Sequence, residues 1–151
     1  MNQNQSKALN YLKSHHVLSL ATTSEEGIWA ASLFYVNKNF LIYFLSASTT
    51  RHIRNIDKDN HVAATISEDH KEWTTIKGIQ LEGDVKKITT RDEIEEVKKL
   101  YSMKFQVIGQ NAPSEINIAL AKINWYVCVP SRMFFIDNSL GLGHRDEIAI
   151  T

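Results

Sequence analysis

The sequence predicts a mainly β protein with flanking helices (α+β), an antiparallel sheet of six to seven strands curled into a barrel. Three observations predict it. Short apolar or alternating runs recur between clusters of turn residues, most connections read as hairpins, and one well-marked amphipathic helix is inserted late in the chain. An alternating strand–helix–strand pattern is missing from the sequence, so a doubly wound nucleotide fold is not expected.

Ser6 is placed to cap a short helix running to Ser14, with Leu9 and Leu12 on one face. "HVLSLATT" (16–23) reads as a buried strand, and Ser24-Glu25-Glu26-Gly27 as the turn that follows it. "IWAASLFYV" (28–36), the turn Asn37-Lys38-Asn39 and "FLIYFLS" (40–46) form the strongest hairpin signal, with both strands expected to be buried on two faces over part of their length. "RHIRNIDKD" places Ile53 and Ile56 three apart, which suits a short helix. "HVAATIS" (61–67) is a further strand and 68–72 a polar loop. Residues 73–88, "WTTIKGIQLEGDVKKI", alternate as one long or two joined strands, with Gly78 and Gly83 as points of bending or close backbone approach. Thr90-Arg91-Asp92-Glu93 fits a capping box, and Ile94, Val97, Leu100 and Tyr101 mark the apolar face of the helix it opens. Residues 105–120 carry little pattern beyond a helix start at Pro113-Ser114-Glu115. "KINWYVCV" (122–129) and "RMFFID" (132–137), joined at Pro130-Ser131, read as two closing strands.

At 151 residues the chain fits one domain, 1–151, able to bury a core without disulfides or a structural metal. Its formal net charge of zero supplies no basic field to gather nucleic acid or an anionic membrane, and no apolar run is long enough to span a bilayer. The opening "MNQNQSKALN" does not read as a secretory signal, and the lone Cys128 cannot form an internal disulfide, so a cytoplasmic location is expected. Cys128, inside "WYVCV", reads as a core thiol.

Motifs of catalysis are few. His15 and His16 are adjacent, and the other four histidines stand without Cys or carboxylate partners at ligand spacing, so no metal site is expected. "GLGHR" (141–145) lacks the third glycine and following helix of a dinucleotide fingerprint and reads as a turn. A nucleophile elbow and a P-loop are both missing from the sequence.

The stretch with most chemistry is "FLSASTTRHIRNI" (44–56), which gathers Ser46, Ser48, Thr49, Thr50, Arg51 and His52 where a strand gives way to a helix. If Thr50 is the N-cap, the first-turn N–H groups point back toward Ser46 and Ser48 and, with the forked guanidinium of Arg51, resemble a phosphate cradle. The other reading is a threonine cap, contributing about 1 kcal/mol, followed by a polar loop. Both readings stand open on these residues.

Taken in order, "VLSLATTSEEGIWAASLFYV", "FLIYFLSASTTRHIRNIDKDNHVAATI" and "IKGIQLEGDVKKI" resemble the pyridoxamine 5'-phosphate oxidase-like flavoproteins of the split β-barrel superfamily over residues 8–100, and "WYVCVPSRMFFIDNSLG" resembles the closing strands of a bacterial subgroup. The resemblance implies a homodimer with FMN at the interface. It implies that Ser46, Thr50, Arg51 and His52 hold the flavin phosphate and that Ser32, Leu33, Phe34 and Tyr35 lie along the ring, backbone groups included. The chain departs from the pattern in three places. His52 stands where a second basic residue is expected; Gly78 replaces a flavin-contacting glutamine, with Gln80 two residues on and on the same strand face; and the substrate-binding C-terminus of the true oxidases is not recognisable. The expected function is an FMN-dependent oxidoreductase acting on a small molecule, with no catalytic side chain assigned. The rival is a flavin-free barrel that binds haem, a deazaflavin or another ligand; nucleic-acid binding ranks last.

Overall fold

The computed structural model describes residues 1–105 and 114–151, without the side chains of residues 116 and 117. Its elements in chain order are α1 (Gln3–Ser14), β1 (Val17–Ser24), β2 (Gly27–Phe34), β3 (Val36–Lys38), β4 (Leu41–Ser46), α2 (Arg51–Lys58), β5 (His61–Ser67), β6 (Lys77–Lys87), α3 (Arg91–Lys104), α4 (Ser114–Ala121), β7 (Asn124–Asp137) and β8 (Arg145–Glu147), with single 3₁₀ turns at Trp73–Thr75 and Asn138–Leu140. One antiparallel sheet runs β2-β1-β5-β6-β7-β4-β3, with β8 attached to β7. The two ends of that path, β2 and β3, are separated in the chain only by Tyr35. The sheet therefore nearly closes on itself, a split barrel of seven strands along its path.

The barrel interior is filled by the inward side of each strand, including Leu18 and Leu20, Ile42 and Phe44, Ala64 and Ile66, Ile79 and Leu81, and Met133 and Phe135, with Leu9 and Leu12 of α1 closing one end. Tyr35, wholly buried, donates its hydroxyl to Leu12 O at 2.8 Å and so ties the β2–β3 junction to α1. β4 and the Trp125–Cys128 stretch of β7 are buried on both faces, because a second cluster of Val36, Tyr43, Trp125 and Val127 packs outside the barrel against Val97 and Tyr101 of α3. Cys128 is in the interior, and burial pushes its thiol up to about 12, which leaves it protonated and inert.

Several local expectations are corrected. α1 starts earlier than Ser6: Asn2 is the N-cap, accepting from Gln5 N at 2.8 Å while the Gln5 side chain accepts from Asn2 N, a capping box that Ser6 cannot make from inside the helix. The dominant hairpin is β1–β2, paired along eight residues, whereas Asn37 and Lys38 belong to β3 and the turn into β4 falls at Asn39, which adopts a positive φ of 51°. β2 is not buried on two faces: Ile28, Ala30, Ser32 and Phe34 are exposed on the outer side, with Phe105 at the end of α3 touching Phe34 at a ring-centre distance of 5.0 Å. Trp73–Thr75 is a 3₁₀ turn, leaving β6 to begin at Lys77. Thr90 occupies the N-cap of α3 but makes no side-chain cap hydrogen bond. α4 begins at Ser114 as expected; Pro113 and the remainder of 106–113 lie outside the described residues.

The largest correction concerns the closing strands, which are one continuous strand. β7 pairs with β6 through eleven residues, and the register slips by one where Gly83 faces Pro130 and Glu82 faces Arg132, so Ser131 is the extra residue of a β-bulge. Proline has no N–H to give a ladder, and at the bulge none is required. Gly83 is the counterpart: a Cβ there would stand 2.4 Å from Val129 O and 2.8 Å from Pro130 Cα, both backbone atoms that cannot rotate away. Gly83→Ala should therefore destabilise the protein by about 1–3 kcal/mol in urea unfolding, more than any exposed Gly→Ala change such as one at Gly143, which has open space but a positive φ.

Candidate functional site

The corner between β4 and α2 is built as its sequence suggests. Thr50 is the N-cap of α2, its hydroxyl accepting from Ile53 N at 3.4 Å and donating to Ala47 O at 3.0 Å. The first backbone bond of the helix is Arg54 N to Thr50 O, so the N–H groups of Arg51 and His52 precede the ladder and face outward from the helix end. Ser46, the last residue of β4, lies 3.2 Å from the Thr50 hydroxyl and 2.7 Å from His52 Nε2. Ser46, Thr50 and His52 are thus one hydrogen-bonded group.

His52 is turned inward. Only 7% of it is exposed, and burial holds its imidazole below the ordinary histidine value, so at neutral pH it carries no charge. Arg51 is the side-chain cation at the outer lip. Its guanidinium stacks 4.3 Å from the centre of the Trp29 ring on β2 and donates Nη2 to Glu26 O at 2.8 Å, while Nε is buried without any hydrogen-bond partner. An orphaned guanidinium donor next to free helix N–H groups is what an anion would satisfy.

Residues that sequence reading passed over hold this lip in place. Arg54 forks onto the Glu26 carboxylate at 3.1 and 3.2 Å and donates to Thr49 O at 2.8 Å. The Arg54 hydrogen bonds hold the Glu26 carboxyl below its usual range, against slight desolvation. Asn55, wholly buried, donates to Thr22 Oγ1 at 3.0 Å and accepts from Ser24 Oγ at 2.6 Å, which bolts the β1–β2 turn to α2. Gly27, at φ 106°, completes that turn, and its missing Cβ leaves room for Arg51 Nη2. Of these only Asn55 had a signal: it is a polar residue between Ile53 and Ile56 on the buried side of a short helix. Glu26, Trp29 and Arg54 are ordinary turn, strand and surface residues until the chain folds.

The other expected site residues separate into two places. Leu33 packs against the interior and Tyr35 is buried in it, so neither side chain reaches the corner; what β2 offers is the free backbone edge of a terminal strand. Ser32, Phe34 and Gln80 are on the outer face of the sheet, where Ser32, Ser19, Thr65, Gln80 and Phe134 form one row across β2, β1, β5, β6 and β7. Gln80 lines a shallow groove there with Thr65, Ser67 and Gly78, 3.5 Å from Arg145 Nη1. Gln80 and Ser46 are far apart within one chain: they stand against Phe134 and Asn124 of β7, about 30 Å of strand from each other.

A family model described as pyridoxamine 5'-phosphate oxidase matches residues 5–125. The chain belongs to this family. Among its relatives, a UPF0306 protein of Enterobacter sp. (strain 638) is 27% identical over 137 residues, covering 89% of each chain. The family fold is shared with HutZ, the haem storage protein of Vibrio cholerae, at a TM-score of 0.70 and 16% identity over 87% of this chain and 94% of that one. It is also shared with an FAD-binding protein of Mesorhizobium loti, at a TM-score of 0.63 and 11% identity over 85% and 88%. At these identities the likeness is one of fold.

The neutral, buried state of His52 has a pH signature. A histidine whose folded value is depressed takes up a proton more readily when unfolded, so its contribution is complete above the unfolded value near 6.5 and is lost as pH falls below it, at no more than about 1.4 kcal/mol per pH unit. His61 acts oppositely, since the hydrogen bonds it donates to Asp84 and then Glu82 raise it, but it is unchanged in a His52→Gln variant. The stability difference between wild type and His52→Gln, measured by urea unfolding, should shrink from pH 7 toward pH 5. A constant difference would show that folding leaves the His52 imidazole unshifted, and a difference that grows toward pH 5 would show that the fold favours its charged form.

Proposed function

We propose that this chain binds FMN at the β4–α2 corner as a homodimer and serves as a flavin-dependent oxidoreductase for a small organic molecule. The observation that carries the reading is the buried, unpartnered Arg51 Nε beside the open N-terminus of α2. Arg51, the Thr50 hydroxyl and the N–H groups of Arg51 and His52 would hold the phosphate. The free edge of β2 along Ser32–Tyr35 would meet the polar rim of the ring with backbone donors and acceptors. When bound, the flavin supplies the electron transfer; the chain's own groups bind it, orient it and exclude water from it. The Glu26–Arg54 pair and the Asn55 bolt keep Arg51 at the lip, so positioning is done by the β1–β2 turn as much as by the helix.

Two features of the chain favour a second copy at the site. The outer face of β2 leaves Ile28 81% and Phe34 56% exposed among small residues, a flat surface suited to a matching sheet. Gln80, too far from the corner in its own chain, reaches a flavin site only if that site spans two chains. The competing reading, a flavin-free barrel for haem, a deazaflavin or another ligand, draws on one observation: His52 is neutral and Arg54 is paired with Glu26, which leaves a phosphate at the corner mainly Arg51.

FMN titrated into the purified protein should bind with a perturbed flavin spectrum, and Arg51→Ala should weaken it by about 1.5–3 kcal/mol, the value of a hydrogen bond to a charged group. Wild-type protein that leaves the flavin spectrum unchanged but takes up hemin would favour the rival. Light scattering should give twice the 17.2 kDa chain mass, and the double change Ile28→Asp, Phe34→Asp should yield folded monomers with weakened FMN binding.

A further inference from the structure

A second cleft in the described structure lies away from the corner. It has a volume of about 560 Å³ and lies at the Leu41 end of β4, whereas the corner begins at its Ser46 end, about 17 Å of strand away. Its walls come from the β3–β4 hairpin, the first turns of α3, the bulge of β7 and the C-terminal residues. Phe40, Leu41, Val129, Pro130 and Ile150 make one side apolar.

The opposite side is polar and carries a charge excess. Lys38 and Glu96 pair with each other through a short hydrogen-bonded contact and so cancel. Glu93 also lines the cleft, and among the described residues no cation pairs with it. Tyr43 brings its phenol to the same wall; burial and then the Glu93 carboxylate raise its ionisation above the ordinary value, so it stays a neutral hydroxyl with lone pairs to offer. The Ser131 side chain is there because the bulge makes room for an extra residue. The lining side chains therefore sum to one negative charge, with the hydroxyls of Tyr43, Ser131 and Thr151, facing an apolar wall in a volume typical of small-molecule sites.

We propose that this cleft binds a small organic cation, a primary amine carrying an apolar body, with the ammonium on Glu93 and Tyr43 and the body against Phe40, Val129 and Pro130. An ammonium has three donors and no acceptor, which matches a wall of carboxylate and hydroxyl oxygens. An anion of the same shape meets the wrong sign, and a neutral alcohol forgoes the charge-assisted bond. The site does not depend on the flavin reading, because it shares no residue with the corner.

The test is an NMR titration of the full chain with phenethylamine, 2-phenylethanol and 3-phenylpropionate. Phenethylamine should saturate, shifting resonances of Tyr43, Val129 and Ser131, and should bind about fivefold or more tightly than the alcohol, with the carboxylate weaker still. Glu93→Gln should reduce the preference for the amine over the alcohol by a similar factor and leave the alcohol unaffected. Absence of saturable amine binding, equal binding of amine and alcohol, or an amine affinity indifferent to Glu93→Gln would each overturn the proposal. The three-probe comparison on the wild type holds whether or not the variant folds.

Discussion

The ladder between β6 and β7 is what the rest of this molecule hangs from. Eleven paired residues join the two longest strands, β5 is added to the far side of β6, and β4 and β8 to the free side of β7. A ladder of that length in a tightly curved sheet needs a place to bend, and the bulge at Ser131 with Gly83 opposite provides it. The same extra residue then has a second consequence, because it turns Pro130 and Ser131 outward to form one wall of the cleft beside α3. Curvature and cleft share a cause.

Charge is distributed around the barrel with similar economy. At the β4–α2 corner the two adjacent residues Arg51 and His52 have opposite fates, one at the lip and one in the core. A helix turns by about 100° per residue, and here that step carries the chain from the lip at Arg51 to the buried side at His52. His52 is drawn in with Ile53, Asn55 and Ile56, and the helix is stabilised by burial at the expense of a cation. Arg51 stands at the corner with the helix end and the Ser46 and Thr50 hydroxyls, held by contacts from the β1–β2 turn.

The outer face of the sheet gives that corner its context. The row from Ser32 through Ser19 and Thr65 to Gln80 consists of short polar side chains that leave the surface flat. Its neighbours Ala21, Ala30 and Ala63 are as small, and the larger apolar groups Ile28 and Phe34 stand out at the edge strand.

The sequence by itself determined the fold class, the strands built on apolar runs, the helix opened by Thr50 and the gathering of Ser46, Thr50, Arg51 and His52 at one corner, because each rests on periodicity, capping or order within a few residues. Local pattern also misled in places: Pro130-Ser131 resembles a chain break when read alone, and becomes a bulge only when Gly83 of another strand stands across from it. Only the tertiary structure decided that His52 is buried and uncharged, that Trp29 and Glu26 receive Arg51, that Gln80 lies far from the corner, and that Glu93 and Tyr43 share a cleft. Those facts are distances between residues remote in sequence, set by sheet register and packing, and no local residue pattern encodes them.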